Sequence, residues 1–302
     1  MSVPVHGEKP TNGRETLTRL GQRDIRRLLD AHGLSATKSL GQHFVVDPNT
    51  VERIARLAGV GPADRVVEIG PGLGSLTLAL AATGAAVTAV EIDRRLVAVL
   101  AEVLPATVRV IEGDALHCAW DSVLPGGPWV LVANLPYNVA TTLVLDLLAG
   151  VPQITRMLVM VQREVGERLA AAPRGRGYGA VSARVAYFAT ARVVGRVGPE
   201  VFEPRPRVES ALVEIVRRPA PAVDAAVASY EEIDRLLRAG FNGRRKMLRR
   251  SLAGLVDEPC FSSVGIAGTA RAEELSIAEW GKLAGCQTRT RPPSPQNAPG
   301  RS

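Results

Sequence analysis

The chain has 302 residues, 46% of them hydrophobic and 22% charged. That is enough apolar material for one large core and a smaller second one, and it excludes a chain disordered throughout. A net charge of +7 and an isoelectric point near 9.8 put polyanions first among partners. Nucleic acid ranks ahead of a membrane surface, because no lipidation motif or strongly amphipathic terminal helix is evident.

Only four of the 37 basic residues are lysine (Lys9, Lys38, Lys246 and Lys282). Arginine suits bidentate phosphate contact and stacking on bases, although a GC-rich coding bias would produce the same excess. The three cysteines, Cys118, Cys260 and Cys286, are odd in number and far apart, with no CxxC and no nearby histidine pair. Neither a disulfide framework nor a metal site is expected, and a reducing cytoplasm is. The first twenty residues are polar and lack the apolar stretch of a secretory signal. The longest apolar run, "SLTLALAATGAAVTAV", contains Gly84, ends at Glu91 and falls short of the roughly 20 residues of a membrane span.

In chain order, residues 1–20 are expected to be a flexible tail. "GQRDIRRLLDAHG" carries Ile25, Leu28 and Leu29 at helical spacing and ends on glycine, which predicts a short helix. From Arg65 onward, "RVVEI", "AVTAVEID", "VRVIEGDA" and "PWVLVANLP" alternate with the helical segments "SLTLALAATG" and "RRLVAVLAEVL". Short β-branched runs separated by helices predict an α/β fold with a parallel sheet and crossover connections. "TRMLVMVQ" is a further strand and "REVGERLAAA" a helix; "ATARVVGRVG" and "ALVEIVRR" are expected to pair as an antiparallel edge. The Pro/Ala-rich stretch 219–229 is expected as a linker, residues 230–287 as a helical domain, and the Pro/Arg/Ser-rich 288–302 as a disordered tail.

"VVEIGPGLGSLTLAL" sets Gly70, Gly72 and Gly74 between a buried strand and a helix, where backbone amides approach a ligand closely. A plain tight turn would look the same. The spacing is not the G-x-G-x-x-G of dinucleotide dehydrogenases, and no GK[ST] follows to hold a triphosphate. Acids end the successive strands. Glu91 can accept from two ribose hydroxyls, Asp114 from an adenine amine, and Glu68 from the backbone amides of the loop. Each alone is equally a solvated strand end or a helix cap; together they outline an adenosine pocket. Nicotinamide dinucleotides and S-adenosylmethionine both contain adenosine, and the loop spacing favours the latter.

The next strand ends in Asn134-Leu135-Pro136-Tyr137. An exocyclic adenine amine is a poor nucleophile, because its lone pair is delocalised into the ring. The Asn134 side-chain oxygen and the Leu135 carbonyl are two acceptors able to hold its hydrogens and redirect that pair. Pro136 restricts the backbone before it, and Tyr137 offers a face on which an extruded base can stack.

With these motifs the chain resembles the small-subunit ribosomal RNA adenine N6,N6-dimethyltransferases of the KsgA family, over roughly residues 37–284. "KSLGQHFVVD", "EIGPGLGSLT", "VEID", "GDAL", "NLPYNVATT", "VQREVGERLAAAPRGRGYGAVS", "VFEPRPRVESALV" and "FNGRRKMLRRSL" stand in the family's order. The resemblance implies a Rossmann-like class I methyltransferase domain over residues 21–218, with a mostly parallel seven-stranded sheet, and a small all-helical RNA-binding domain after it. It implies S-adenosylmethionine as cofactor, no metal, and Gln42, His43 and Val45 on the cofactor's open side. Gly70 would meet the methionine moiety, Glu91 the ribose, Asp114 the adenine and Asn134 the target amine. The family usually has asparagine where this chain has His43, and often leucine where it has Val45. Phe202 resembles the family's aromatic beside the target base, and is equally a core phenylalanine between two strands.

In "FNGRRKMLRRSLAGL", Arg245 with Arg249 and Lys246 with Arg250 stand at i,i+4 spacing, so one helix flank is expected to be basic while Phe241, Leu248, Leu252 and Leu255 pack. A solvated helix face has the same pattern. The resemblance makes this flank and the loop "PRGRGYG", with Arg174 and Arg176, an RNA-docking surface. The implied partner is a small-subunit precursor and its rRNA, met by a cytoplasmic monomer; the implied reaction dimethylates two adjacent adenosines in a hairpin near the 3′ end of that rRNA. Two alternatives stand beside this one: an Erm-type enzyme acting on large-subunit rRNA, and an assembly factor that binds without catalysis.

Overall fold

The structure is a computed structural model that describes residues 18–37, 41–243 and 245–290. Both expected tails lie outside the described residues except at 18–20 and 288–290, as do His6, Lys9 and Lys38.

Among the described residues, nine strands form two sheets: β1 (Phe44–Val45), β2 (Arg65–Ile69), β3 (Ala86–Glu91), β4 (Arg109–Glu112), β5 (Trp129–Asn134), β6 (Ile154–Gln162), β7 (Ala189–Val197), β8 (Phe202–Glu203) and β9 (Ser210–Arg217). The large sheet has the order β4-β3-β2-β5-β6-β9-β7. Its first five strands are parallel, whereas β9 runs antiparallel to both β6 and β7. Val66, Val67, Leu131, Val132 and Val159 have no solvent exposure, as central strands covered by crossover helices on both faces require. The order reverses between β2 and β5, so the two strand ends carrying Gly70 and Asn134 open side by side into one crevice.

Two helices that the hydrophobic spacing did not predict flank this sheet, Pro48–Ala58 and Ala180–Phe188. The first has a complete local signal: Asp47 accepts the Thr50 N–H, Pro48 opens the helix, and Gly59 closes it in the left-handed region at φ 56°. The helix Ala140–Gly150 ends on Arg217, whose guanidinium donates to the carbonyls of Leu147, Leu148, Val151 and Ile154. That arginine satisfies carbonyls a helix C-terminus leaves open, and it ties β9 to the helix that follows β5.

The N-terminal segment folds back over the sheet. Leu20 is buried in a cluster with Ile25, Phe44, Leu73 and Leu78, and β1 pairs with β8 to form the small sheet. The C-terminal helices Tyr230–Asn242, Leu248–Ser251, Glu258–Ser263 and Ile277–Thr290 close around Trp280, Phe261, Leu236 and Leu237. Tyr178 and Ala183 reach into the same cluster from the side of the large sheet, and Val223 and Ala228 from the expected linker.

Two expectations need correction here. Tyr230–Asn242 ends before the basic run, and Arg245 and Lys246 lie in a turn ahead of the short helix that carries Arg249, so Arg245 and Arg249 do not share a helix flank. Gly243 breaks the helix where side-chain spacing alone predicted continuation. Cys260 and Cys286 are joined in a disulfide, with Cα atoms 5.9 Å apart, leaving Cys118 free. A separation of 26 residues gives no sign of a pairing that two helices create by packing. Among the described residues, no helix is long and apolar enough to cross a membrane.

Candidate active site

A cavity of about 190 Å³ occupies the crevice at the strand ends. Gln42, His43, Gly70, Gly72, Glu91, Asp114, Asn134, Leu135, Pro136 and Tyr137 all line it. Four other residues expected at the site do not. Gly74 caps the helix Ser75–Ala82 at φ 90°. Glu68 is buried behind the loop, and Val45 and Phe202 are core residues paired across the small sheet. Phe202 therefore takes the packing role that its neighbours in the chain equally allowed.

Each cavity residue is held by a local device. Gly70 and Gly72 adopt φ 69° and 61°, the left-handed region that a glycine enters at little cost. A Cβ added to Gly72 would stand 2.9 Å from the Phe44 ring, so that position needs glycine on two grounds. Glu91 spans the loop and the next turn: Oε2 accepts the Gly72 N–H at 3.2 Å and Oε1 the Asp93 N–H at 2.9 Å. Glu91, and not Glu68, is thus the carboxylate that fixes the loop. Burial pushes the Glu91 carboxyl up from its ordinary range, against the pull of those amide hydrogen bonds.

Glu68 is a different case. Its carboxyl is pushed up to about 8, first by burial and further by the charge of Glu91, with the nearby Thr77 hydroxyl opposing. Among the described residues, Glu68 Oε2 and the Thr77 hydroxyl are both buried without a hydrogen-bond partner. A carboxyl in such surroundings is neutral at pH 7.

Asp114 is held below the usual carboxylate range, first by the Leu116 N–H and then by the His117 imidazole at 2.9 Å. On the N-terminal side, Arg95 joins Asp93 to Thr37 through its guanidinium, and the Thr37 N–H donates to Gln42 Oε1 at 2.8 Å. Asp93 and Arg95 therefore anchor Thr37 and, through it, the Gln42 side chain at the cavity, and the hydrophobic spacing gave no sign of either. Ile92 and Leu116, large apolar side chains 50% and 36% exposed, also stand at the cavity edge, where hydrophobic spacing did not place them. Their signal is adjacency, since each follows a strand-end acid within two residues.

The end of β5 is the most constrained part. Asn134 Nδ2 donates to the His43 carbonyl at 2.9 Å; a carbonyl only accepts, so the amide orientation is fixed and Oδ1 remains the acceptor. The His43 and Tyr137 rings stack with centroids 5.3 Å apart and planes at 29°. His43 Nδ1 donates to the Pro204 carbonyl at 2.7 Å. The Tyr137 hydroxyl meets Ser210 Oγ at 2.7 Å, and burial raises its pKa against the effect of that hydrogen bond.

The expected basic residues Arg174, Arg176, Arg245, Lys246 and Arg249 are all exposed, away from the cavity. Their two segments hang from one strip of chain: the Arg174 N–H donates to the Glu273 carbonyl and the Arg249 N–H to the Gly268 carbonyl, each at 2.9 Å. Arg174 holds φ 64°, a strained setting for a residue with a Cβ, and the neighbouring Tyr178 hydroxyl donates to the Leu275 carbonyl at 2.8 Å.

Comparison with known proteins agrees with this geometry. The family model described as ribosomal RNA adenine dimethylase matches residues 33–287. Among curated proteins, the ribosomal RNA small subunit methyltransferase A of Cutibacterium acnes is 47% identical, covering 87% of this chain and 93% of its own. The protein of the same name from Thermobifida fusca is 48% identical, with 86% and 93% covered. Among solved structures, a dimethyladenosine transferase from Plasmodium falciparum matches with a TM-score of 0.66 at 24% identity, over 80% of this chain and 96% of that one. The 23S rRNA methyltransferase ErmE matches with a TM-score of 0.62 at 25% identity, over 81% and 99%. The fold is that of the class I methyltransferases. The chain belongs to the ribosomal RNA adenine dimethylase family, and is an rRNA adenine dimethyltransferase with S-adenosylmethionine as its methyl donor.

Proposed function

We propose that this enzyme dimethylates N6 of two adjacent adenosines in a hairpin near the 3′ end of small-subunit rRNA, acting as a cytoplasmic monomer on a subunit precursor. The names of its relatives at 46–48% identity support the small subunit as target. The observation that carries the chemistry is the commitment of Asn134 Nδ2 to the His43 carbonyl, which leaves Oδ1 as a positioned acceptor beside Leu135 and Tyr137.

The residues present suit the methyl donor. Gly70 lines the cavity with open space where a side chain would stand, the nearest atom to an added Cβ being Pro136 Cδ at 4.0 Å. The backbone there can take the methionine end. Each Glu91 oxygen spends one lone pair on a backbone N–H and keeps another for a ribose hydroxyl. Asp114, held ionised, can accept an adenine amine, and Ile92 and Leu116 supply apolar faces for the ring. When bound, S-adenosylmethionine supplies an electrophilic methyl group.

The chain's own residues then do the alignment. Asn134 Oδ1 and the Leu135 carbonyl accept the two amine hydrogens and turn the N6 lone pair out of conjugation. Tyr137 holds the base by its face. The surplus proton leaves after displacement, so positioning and electrostatics carry the rate. Between the two transfers Asn134 releases the amine and takes it again after rotation. Arg174 and Arg176, with Arg245, Lys246 and Arg249, contact phosphates along the strip 268–275 and present the hairpin to the crevice.

The test is incubation with labelled S-adenosylmethionine and, separately, undermethylated small and large subunits, followed by mapping of the labelled nucleotide. Label on paired adenosines of small-subunit rRNA is expected. Label in large-subunit rRNA would move the target to the reading that ErmE represents, and no transfer to either would leave a binding factor.

A further inference from the structure

We propose that Ser210 is a positioning residue for the target base, tying the Tyr137 ring to the rigid sheet through a hydroxyl–hydroxyl hydrogen bond. The inference rests on the proposed role of Tyr137 as the stacking face for adenine. Ser210 is the first residue of β9 and has no solvent exposure. Its backbone is fixed on both sides by register with Gln162 of β6 and Val197 of β7. The residue before it is pinned as well: the Arg163 N–H donates to the Glu209 carbonyl at 2.9 Å, and the Arg163 guanidinium to the Glu209 carboxylate at 2.8 Å.

Tyr137 has no such support of its own. It lies in the turn between β5 and the helix Ala140–Gly150, where a tyrosine ring is free to swing about two side-chain torsions. What restrains it is contact at two places, His43 against one face and Ser210 Oγ on the phenolic oxygen at 2.7 Å. His43 is itself tethered by its bond to the Pro204 carbonyl. Both rings of the stack are thus held from one segment, residues 204–210, which belongs to neither the glycine loop nor the strand-end acids. Removing the Ser210 hydroxyl leaves the Tyr137 ring in place on average but widens the angles it samples, and a base stacked on it departs from the line of attack on the methyl group.

Turnover of methyl transfer to small subunits separates this role from a structural one. Ser210→Ala is expected to lower kcat about tenfold, the rate equivalent of one hydrogen bond of ordinary strength, with unchanged affinity for S-adenosylmethionine measured by calorimetry. Tyr137→Phe removes the other half of the same bond and is expected to give the same loss, which keeps the test open if Ser210→Ala does not fold. The double variant is expected to be no slower than either single one. Multiplied losses in the double variant, or wild-type kcat in Tyr137→Phe, would overturn the inference. A wild-type protein that methylates neither subunit would instead remove the reading on which it rests.

Discussion

The crevice and the basic surface are built in opposite ways. In the crevice, Gly70, Glu91, Asp114 and Asn134 sit at or just past the ends of adjacent strands, and the sheet itself sets their spacing. On the basic surface, Arg174, Arg176, Arg245 and Arg249 sit on a loop, a turn and a short helix that stay together because their backbones bond to residues 268–275. A parallel sheet converts sequence order into geometry; loops acquire theirs only from the partners they dock on. The first arrangement tolerates little substitution and the second should lose function in small, separable amounts.

The sharpest test of that contrast is Asn134→Ala. It should lower turnover on the order of a hundredfold or more, as loss of a preorganised polar contact does, while calorimetry finds S-adenosylmethionine still bound. Near-normal turnover would mean the strand end is not where the amine is held. Next in size is Gly72→Ala. The left-handed backbone costs an alanine about 1–2 kcal/mol, and the added carbon stands 2.9 Å from the Phe44 ring. Cofactor affinity should fall on the order of tenfold together with the melting temperature; an unchanged affinity would show that the loop relaxes freely.

On the other side of the comparison, Arg245→Glu and Arg249→Glu should each weaken binding to small subunits with a shallower salt dependence, by about one unit of slope for each phosphate left without its arginine. Because the two side chains do not share a helix flank, their effects should add. Strong non-additivity in a salt titration would point to one continuous flank after all. The smallest effect belongs to Glu68. Its pKa in the folded protein is raised from 4.5 to about 8. The unfolded chain therefore loses this proton first as pH rises, and stability falls from about pH 4.5 through about pH 8. Glu68→Gln removes that dependence, and its melting temperature should gain on the wild type by a few degrees between about pH 5 and pH 8. Parallel curves would mean the carboxyl is already ionised in the fold.

What the sequence made legible follows the same divide. The seven-stranded sheet and its antiparallel pair came from strand and family motifs, and seven of the ten residues expected at the cofactor line the cavity. The failures lie where tertiary contact overrules local pattern. Val45 and Phe202 look like site residues in a motif but pair across the small sheet and point into the core. The run from Phe241 to Leu255 has helical periodicity, yet the helix breaks at Gly243 and Met247 beyond it bridges Arg271. Ser210, Asp93 and Arg95 act through other residues, and a side chain that works by holding a neighbour leaves no spacing signal. The disulfide belongs to the same class, since only the packing of two helices brings Cys260 to Cys286.

The insertion of β9 between β6 and β7 bears on synthesis as well as on architecture. During translation β5 and β6 emerge with a sheet edge still open, and that edge is filled only once the chain has reached Arg217. Non-local pairing of this kind is slow and leaves strand edges exposed in the interim. A nascent chain that stops short of Ser210 carries every residue expected at the cofactor but lacks the hydroxyl that holds the Tyr137 phenol. The residues proposed to meet the methyl donor are thus synthesised before the strand that steadies the proposed stacking face, so the order of the chain separates the two halves of the site in time.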